Sequence, residues 1–323
     1  MIFQALHWLS ERGILGMNRR NAEYVMRCNP RSILPLVDDK LLTKDLARKH
    51  QIPVPDVYHV VRYHGDIEGL KKALGDRRDF VVKPARGIGG SGVLLLMDRT
   101  ADGFVTQSGE LISWTELTYH VSDILSGIYS LGGLEDQAFM ETFVHPDPVF
   151  ADVTFRGVPD IRIVVYRGVP VMGMVRLPTR HSDGKANLHR GAIGAGIDIG
   201  GGTTLAAVHG SQVVTHHPDT GSPVGGIQVP HWERMLGIAA RSVDMTGLGF
   251  LGVDLVIDWQ QGPLLLELNS RPGLQIQVAN RTGLRERLEL IDRAPSDIFI
   301  TPESRVHWAR EAFAVSESQS TKA

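Results

Sequence analysis

Residues 250–273 read Phe250-Leu-Gly-Val-Asp-Leu-Val-Ile-Asp-Trp-Gln-Gln-Gly-Pro-Leu-Leu-Leu-Glu-Leu-Asn-Ser-Arg-Pro-Gly273. Two apolar runs, Phe250 to Ile257 and Leu264 to Leu268, flank a Gly-Pro turn, which is the pattern of a β-hairpin. Asp254, Glu267 and Asn269 interrupt it. Carboxylates are rarely buried unless paired or metal-bound, so two of them with an amide on neighbouring strands suggest a shared ligand, and hard oxygen donors suit Mg²⁺. The alternative is a set of solvated residues near turn ends. The rest of the chain has to separate the two.

The chain has 323 residues, enough for a large core and two or three subdomains. Its 42% hydrophobic and 22% charged content is that of a soluble globular protein. Lys plus Arg (34) and Asp plus Glu (36) nearly cancel, so neither nucleic acid nor an anionic membrane is an expected partner. The single Cys28 excludes an internal disulfide framework and reads as a small buried residue in a reducing compartment. No apolar run reaches the roughly 18 residues of a membrane span, and the N-terminus has no secretory pattern, so the expected location is cytoplasmic.

Working back from the hairpin, Pro230 to Thr246 carries Trp232, Met235, Leu236, Ala239, Ala240 and Val243 on one stripe, a core-facing helix. The preceding glycine-rich stretch, Gly191 to Gly226, holds Ile197-Asp-Ile-Gly-Gly-Gly202, strands around 203–208 and 212–215, and His217-Pro-Asp-Thr-Gly221. Adjacent His216 and His217 would point to opposite faces of a strand, so with Asp219 they read as a turn rather than a metal site. Residues 159–177 form a second hairpin, with Asp160 and Arg162 on one face of its first strand and Arg176 near the end of its partner. They are either an exposed cross-strand ion pair or, with the cationic residues of Lys185-Ala-Asn-Leu-His-Arg-Gly191, a set whose arginines converge to grip phosphate or carboxylate. His189, between Leu188 and Arg190, reads as structural.

Nearer the N-terminus, Asp79-Phe-Val-Val-Lys-Pro-Ala-Arg-Gly-Ile-Gly-Gly-Ser-Gly-Val-Leu-Leu-Leu-Met97 is strand, glycine-rich loop, strand. Glycines let backbone N–H groups close on phosphate oxygens, and Lys83 at the strand end adds fixed charge; a tight hairpin without ligand is the alternative. Asp38 or Asp39 can cap a helix over 40–50. Lys40 in its first turn is misplaced for the helix dipole and answers an outside anion, or is simply solvated. A helix is expected over 114–129, a strand over 137–144, and a stiff hinge at His145-Pro-Asp-Pro148. The first 29 residues, with Ile2, Phe3, Leu6, Trp8 and Leu9, suggest one or two short helices. Leu274–Leu290 looks helical, and the polar tail from Ser316 is expected to be disordered.

Taken in order, Asp39-Lys40, Val-Val-Lys83-Pro with its loop, Asp160-x-Arg162, Asn187-x-x-Arg190-Gly, Gly252-Val-Asp254 and Glu267-x-Asn269-x-x-Pro-Gly273 resemble the ATP-grasp superfamily. Some pieces resemble its ribosomal-protein glutamate ligase (RimK-like) branch. The insertion with His-Pro-Asp-Thr-Gly resembles the α-L-glutamate ligase-related and sugar-transfer-associated members. The resemblance implies an α+β fold in which two α/β subdomains with antiparallel sheets clamp a nucleotide. It implies a short helical segment over 1–57, a subdomain with the glycine loop over 58–145, a second with the metal site and a 197–230 insertion over 146–295, and a partly disordered tail over 296–323. Lys40, Lys83 and the loop residues Gly87, Gly89, Gly90, Ser91 and Gly92 would bind ATP phosphates, Glu141, Thr142 and Val144 the adenine, and Asp147 the ribose. Asp254, Glu267 and Asn269 would hold one or two Mg²⁺, for which Mn²⁺ can substitute. Arg162, Arg176, Asn187 and Arg190 would face phosphate and acyl substrate. The implied activity is a carboxylate–amine ligase acting through an acylphosphate on small-molecule or peptide acids and amines, with transfer of glutamate or another amino acid. A phosphotransferase or a non-catalytic nucleotide-binding partner is the alternative, and a homo-oligomer stays open.

Overall fold

The computed structural model describes residues 11–87 and 89–315; the apolar positions between Ile2 and Leu9, Ile88 of the glycine loop and the tail from Ser316 lie outside the described residues. The chain divides into two compact units. The smaller comprises Asp39–Leu42 and Val54–His145, the larger the described residues of Met1–Asp38, Thr43–Pro53 and Pro146–Ala323.

In chain order the longer helices are α1 (Lys40–Lys49), α2 (Leu70–Leu74), α3 (Trp114–Leu125), α4 (Trp232–Thr246), α5 (Arg285–Asp292) and α6 (Pro302–Ala312). The smaller unit holds an antiparallel sheet of β1 (Val57–Val61), β2 (Phe80–Pro84), β3 (Leu94–Arg99), β4 (Gly103–Thr106), β5 (Leu111–Ser113) and β6 (Ala138–Glu141), in the order β1-β6-β2-β3-β4-β5. Its core joins Phe80, Val82, Leu96, Phe104 and Met140 of the sheet to Leu117, Val121, Ile124 and Leu125, which lie one helical turn apart on α3. Ser113 and Glu116 start α3 with a reciprocal capping box. The helix ends at 125, not 129, because Gly127 turns to φ 82, where a Cβ would lie 2.3 Å from the Leu134 carbonyl.

The larger unit holds β7 (Asp160–Tyr166), β8 (Val169–Leu177), β9 (Ile193–Ile197), β10 (Thr204–His209), β11 (Gln212–Val214), β12 (Phe250–Asp258) and β13 (Gly262–Asn269), in the antiparallel order β11-β10-β9-β8-β7-β12-β13. The stripe on α4 is core, as its periodicity predicts: Trp232, Met235, Leu236, Ala239 and Ala240 are buried, and the Trp232 indole donates to the Ile199 carbonyl at 3.0 Å. Residues 296–315, expected as part of a tail, form a 3₁₀ turn and α6, which Thr301 caps and which Arg305 ties to Asp244 of α4. The helix expected over 274–290 is two helices, Ile276–Ala279 and Arg285–Asp292. It breaks because Arg281 turns to φ 51, and Gly283 packs so close that a Cβ there would lie 2.2 Å from the backbone of Gly13.

The N-terminal residues of this unit include a π-helical turn, Arg20–Val25. They are fastened to the hairpin of 250–273 at both ends. The Asn29 amide donates to the carbonyls of Phe250 (2.8 Å) and Ser270 (3.0 Å) and accepts from the Phe250 N–H (3.0 Å). Buried Arg20 donates to the Pro272 carbonyl at 2.8 Å.

Candidate active site

The sheet of the larger unit assembles a charged face by register alone. Asp254 of β12 lies opposite Arg162 of β7 on one side and Glu267 of β13 on the other, and Asp160 lies opposite Arg176 of β8. Directly opposed residues share a face, and so do residues two apart on one strand, so Arg176, Asp160, Arg162, Asp254, Glu267 and Asn269 all project to the same side. The Arg162 guanidinium forks onto Asp254, Nε to Oδ1 at 2.7 Å and Nη2 to Oδ2 at 2.5 Å. Arg176 grips Asp160 in the same bidentate way and also donates to Asp254 Oδ2 at 2.8 Å.

This network is buried, not the exposed ion pair that its sequence also allowed. Asp254 is 0% exposed, and the Arg162 and Arg176 side chains are 12% and 11% exposed. Burial opposes the charge on Asp254, but Arg162 and then Arg176 hold its carboxyl well below the usual carboxylate range. Burial pushes Asp160 up to about 7, with Asp254 adding to the rise and Arg176 opposing it. The two guanidiniums are thus engaged by Asp160 and Asp254, and neither forms an ion pair with Glu267 among the described residues.

The fit of a divalent cation turns on Asn269. Its Nδ2 donates to Asp254 Oδ2 at 3.2 Å and lies 3.4 Å from Glu267 Oε1, so the positive end of an amide occupies the gap between two carboxylates. Turning that amide over would present three hard oxygens to one point, the donor chemistry Mg²⁺ prefers. Among the described residues no group of three His, Cys, Asp or Glu side chains could hold a metal, so a cation here would need the Asn269 oxygen beside the two carboxylates.

The smaller unit collects the other charged group. Lys83 on β2 is ion-paired with buried Glu141 on the neighbouring β6. Asp39 caps α1 as expected, accepting from the N–H groups of Leu41 (3.0 Å) and Leu42 (3.2 Å), and Lys40 Nζ donates to the Gly87 carbonyl at 2.6 Å. The glycine loop is rooted at both ends. Asp136 accepts from the Arg86 N–H (3.0 Å) and the Ser130 hydroxyl (2.9 Å), and Gly87 bridges to Ser130. At the far root His120 Nε2 donates to the Gly92 carbonyl at 3.0 Å, and a Cβ on Gly92 would lie 2.6 Å from the Tyr129 ring. Between the roots Gly89 and Gly90 are exposed, and Gly89, Gly90 and Gly92 all adopt positive φ.

Other expected site residues have local partners. The Thr142 N–H donates to the Asp56 carbonyl at 2.8 Å, and Asp147 Oδ1 caps the 3₁₀ turn that follows by accepting from Val149 N at 2.9 Å. Asn187 Oδ1 accepts from the His189 N–H at 2.9 Å, and Arg190 is exposed on the same loop. Asp160, Asp136, Ser130, His120 and Tyr129 belong to these arrangements and were not among the expected site residues. Asp160 had a sequence signal in its two-residue spacing from Arg162; Asp136 and His120 had none.

No curated protein matches the chain. Among solved structures, the ATP-grasp ligase PsnB complexed with minimal precursor is 12% identical, with a TM-score of 0.43 over 82% of this chain and 61% of its own length. D-cycloserine synthetase DcsG is 18% identical with a TM-score of 0.45 (85% and 79%), and the L-amino acid ligase from Bacillus licheniformis is 14% identical with a TM-score of 0.45 (82% and 49%). The chain thus spans about three-fifths of the first of these proteins. The model of the sugar-transfer associated ATP-grasp family matches residues 19–293. That span contains both charged clusters, the rooted glycine loop and the 216–221 turn, and the chain belongs to the sugar-transfer associated ATP-grasp family.

Proposed function

We propose that the chain is an ATP- and Mg²⁺-dependent ligase that joins a carboxylate to an amine. The observation that carries this reading is the buried Arg176–Asp160–Arg162–Asp254 network ending in Glu267 and Asn269. It holds two arginines at fixed positions beside a set of hard oxygen donors. In this reading Lys40, Lys83 and the N–H groups of the 87–92 loop hold phosphate oxygens. The Thr142 carbonyl, its N–H being engaged, and the Val144 N–H meet the adenine edge. Glu267, Asn269 and Asp254 would hold Mg²⁺, which when bound neutralises charge on the phosphoryl oxygens.

The chemistry follows from positioning and charge rather than from a nucleophilic side chain. A substrate carboxylate attacks the γ-phosphorus of ATP, ADP leaves, and the acylphosphate loses phosphate to an attacking amine, which gives up a proton as the amide forms. Arg162 and Arg176, kept in place by their carboxylate partners, stabilise the charge that develops on the transferred group. Asn187 and Arg190 are assigned to the acyl substrate, and no particular amino acid is assigned to either substrate.

The test is incubation with MgATP and pooled carboxylic acids and amines, with ADP and phosphate assayed and products weighed by mass spectrometry. A new amide with equimolar ADP and phosphate is expected. A stable phosphorylated product without free phosphate would instead make the chain a phosphotransferase, and nucleotide binding with no turnover would remove the ligase reading.

A further inference from the structure

Beyond Asp160 and Arg176, β7 and β8 run into two loops at the same end of the sheet, residues 154–158 and 178–192. The loops are zipped together: Phe155 N donates to the Pro178 carbonyl at 3.0 Å, and a Cβ on Gly157 would lie 1.8 Å from the Gly184 carbonyl. Each loop brings an arginine to Phe155. The Arg156 and Arg180 guanidiniums sit 5.3 and 5.0 Å from the centre of its ring. Both residues are exposed, and among the described residues neither side chain is ion-paired with a carboxylate. Two like charges therefore lie within about 10 Å of each other, close to one screening length at physiological salt. Arg156 does so at φ 54, a backbone conformation that costs a non-glycine residue about 1 kcal/mol or more.

The 216–221 turn, which the nucleotide chemistry leaves unused, fixes this arrangement. Buried His217 donates from Nε2 to the Pro178 carbonyl at 3.0 Å, and its Nδ1 accepts from the Asp219 N–H at 3.3 Å. The Asp219 carboxylate accepts the Arg180 N–H at 2.7 Å. The turn thus locks the backbone that presents Arg180 and leaves the guanidinium to the solvent side. On the same loop Lys185 pairs with Asp183 at 3.8 Å, and Arg190 is exposed.

We propose that Arg156 and Arg180, flanking Phe155 and held by the His217–Asp219 turn, form a second anion site. It takes a phosphate or carboxylate group of the substrate other than the carboxylate being activated. The word substrate rests on the ligase reading; the anion site does not.

The test measures binding without turnover, by calorimetry on the full chain with AMP-PNP and Mg²⁺ present at saturation so that a nucleotide site is filled. Inorganic tripolyphosphate and a short oligogalacturonate are titrated in separate arms, which distinguishes phosphate from carboxylate recognition. At least one is expected to bind, and Arg156→Ala/Arg180→Ala should weaken it by roughly tenfold or more and flatten its salt dependence. Each single variant should show part of the loss, and Arg27→Ala, an exposed arginine in the same unit, should show none. Wild-type binding of neither anion, unchanged affinity in the double variant, or an equal loss in Arg27→Ala would each overturn the site. Absence of ADP release with any acid would count against the ligase reading and leave this result standing.

Discussion

Asp254 faces two demands at once, because a carboxylate with no exposure to water must be neutralised and yet is assigned to bind a cation. Arg162 and Arg176 meet the first demand, and Asn269 stands in the gap where the second would be met. Removing one partner of a buried pair leaves an uncompensated charge, so Arg162→Ala should lower the unfolding free energy by about 3 kcal/mol. Adding Asp254→Asn in that background should recover part of the loss, because the amide carries no charge to strand. Urea midpoints of the two single variants and the double check this, and strictly additive losses would mean the two residues do not act as a pair. The alternation of each hairpin is enough to place Asp160 with Arg162, and Glu267 with Asn269, on one face of its own strand. It says nothing of their burial, since Arg162 and Asp254 are 92 residues apart and meet only once β7 and β12 are neighbours. That is why an exposed ion pair and a buried network read alike in the sequence.

At the scale of the element, the glycine loop is a short exposed arc between two fixed roots. Its strands and its glycines are legible from 79–97, but its roots are not, because Asp136 and His120 are 50 and 28 residues from their loop partners. The break after Ala279 is hidden for the same reason, since it depends on Gly13 packing against Gly283. The far root is sensitive to pH. Burial lowers the His120 pKa below its ordinary 6.5, against the pull of the Gly92 carbonyl. A lowered folded pKa means that the unfolded chain takes up the proton first as pH falls, so the stabilisation is complete above about pH 6.5 and is lost as pH drops through the folded value. The smaller unit should therefore melt at a lower temperature near pH 5 than near pH 8, and His120→Gln, which keeps an N–H donor without a titrating ring, should reduce that difference. Thermal unfolding followed by Trp114 fluorescence, with the other tryptophans replaced by phenylalanine, measures it. An unchanged pH response in His120→Gln would remove His120 from the root.

At the scale of the molecule, the units are not contiguous in sequence: the residues before 39 and after 145 fold together, and α6 closes the larger unit onto α4. Among the described residues no helix is long and apolar enough to cross a membrane. The family signature could be read because its residues recur in fixed order along the chain; the split of the first 53 residues between units could not, because no composition change marks it. A ligand that binds only the folded chain stabilises it by RT ln(1 + [L]/Kd), about 2.7 kcal/mol at a hundredfold excess over Kd. For a chain of this size that amounts to a rise in melting temperature of roughly 4 °C. MgATP should produce such a rise, and Lys83→Ala should abolish it. The baseline of that variant will also fall, because Glu141 loses its cation, so the shift and not the midpoint is the readout. Glu267→Gln should keep the rise given by ATP with a metal chelator and lose the further increment given by Mg²⁺, since the proposed function gives the phosphates to the lysines and the metal to Glu267. A Mg²⁺ increment that survives in Glu267→Gln would take the metal away from the hairpin of 250–273, and a full shift in Lys83→Ala would take the phosphates away from β2.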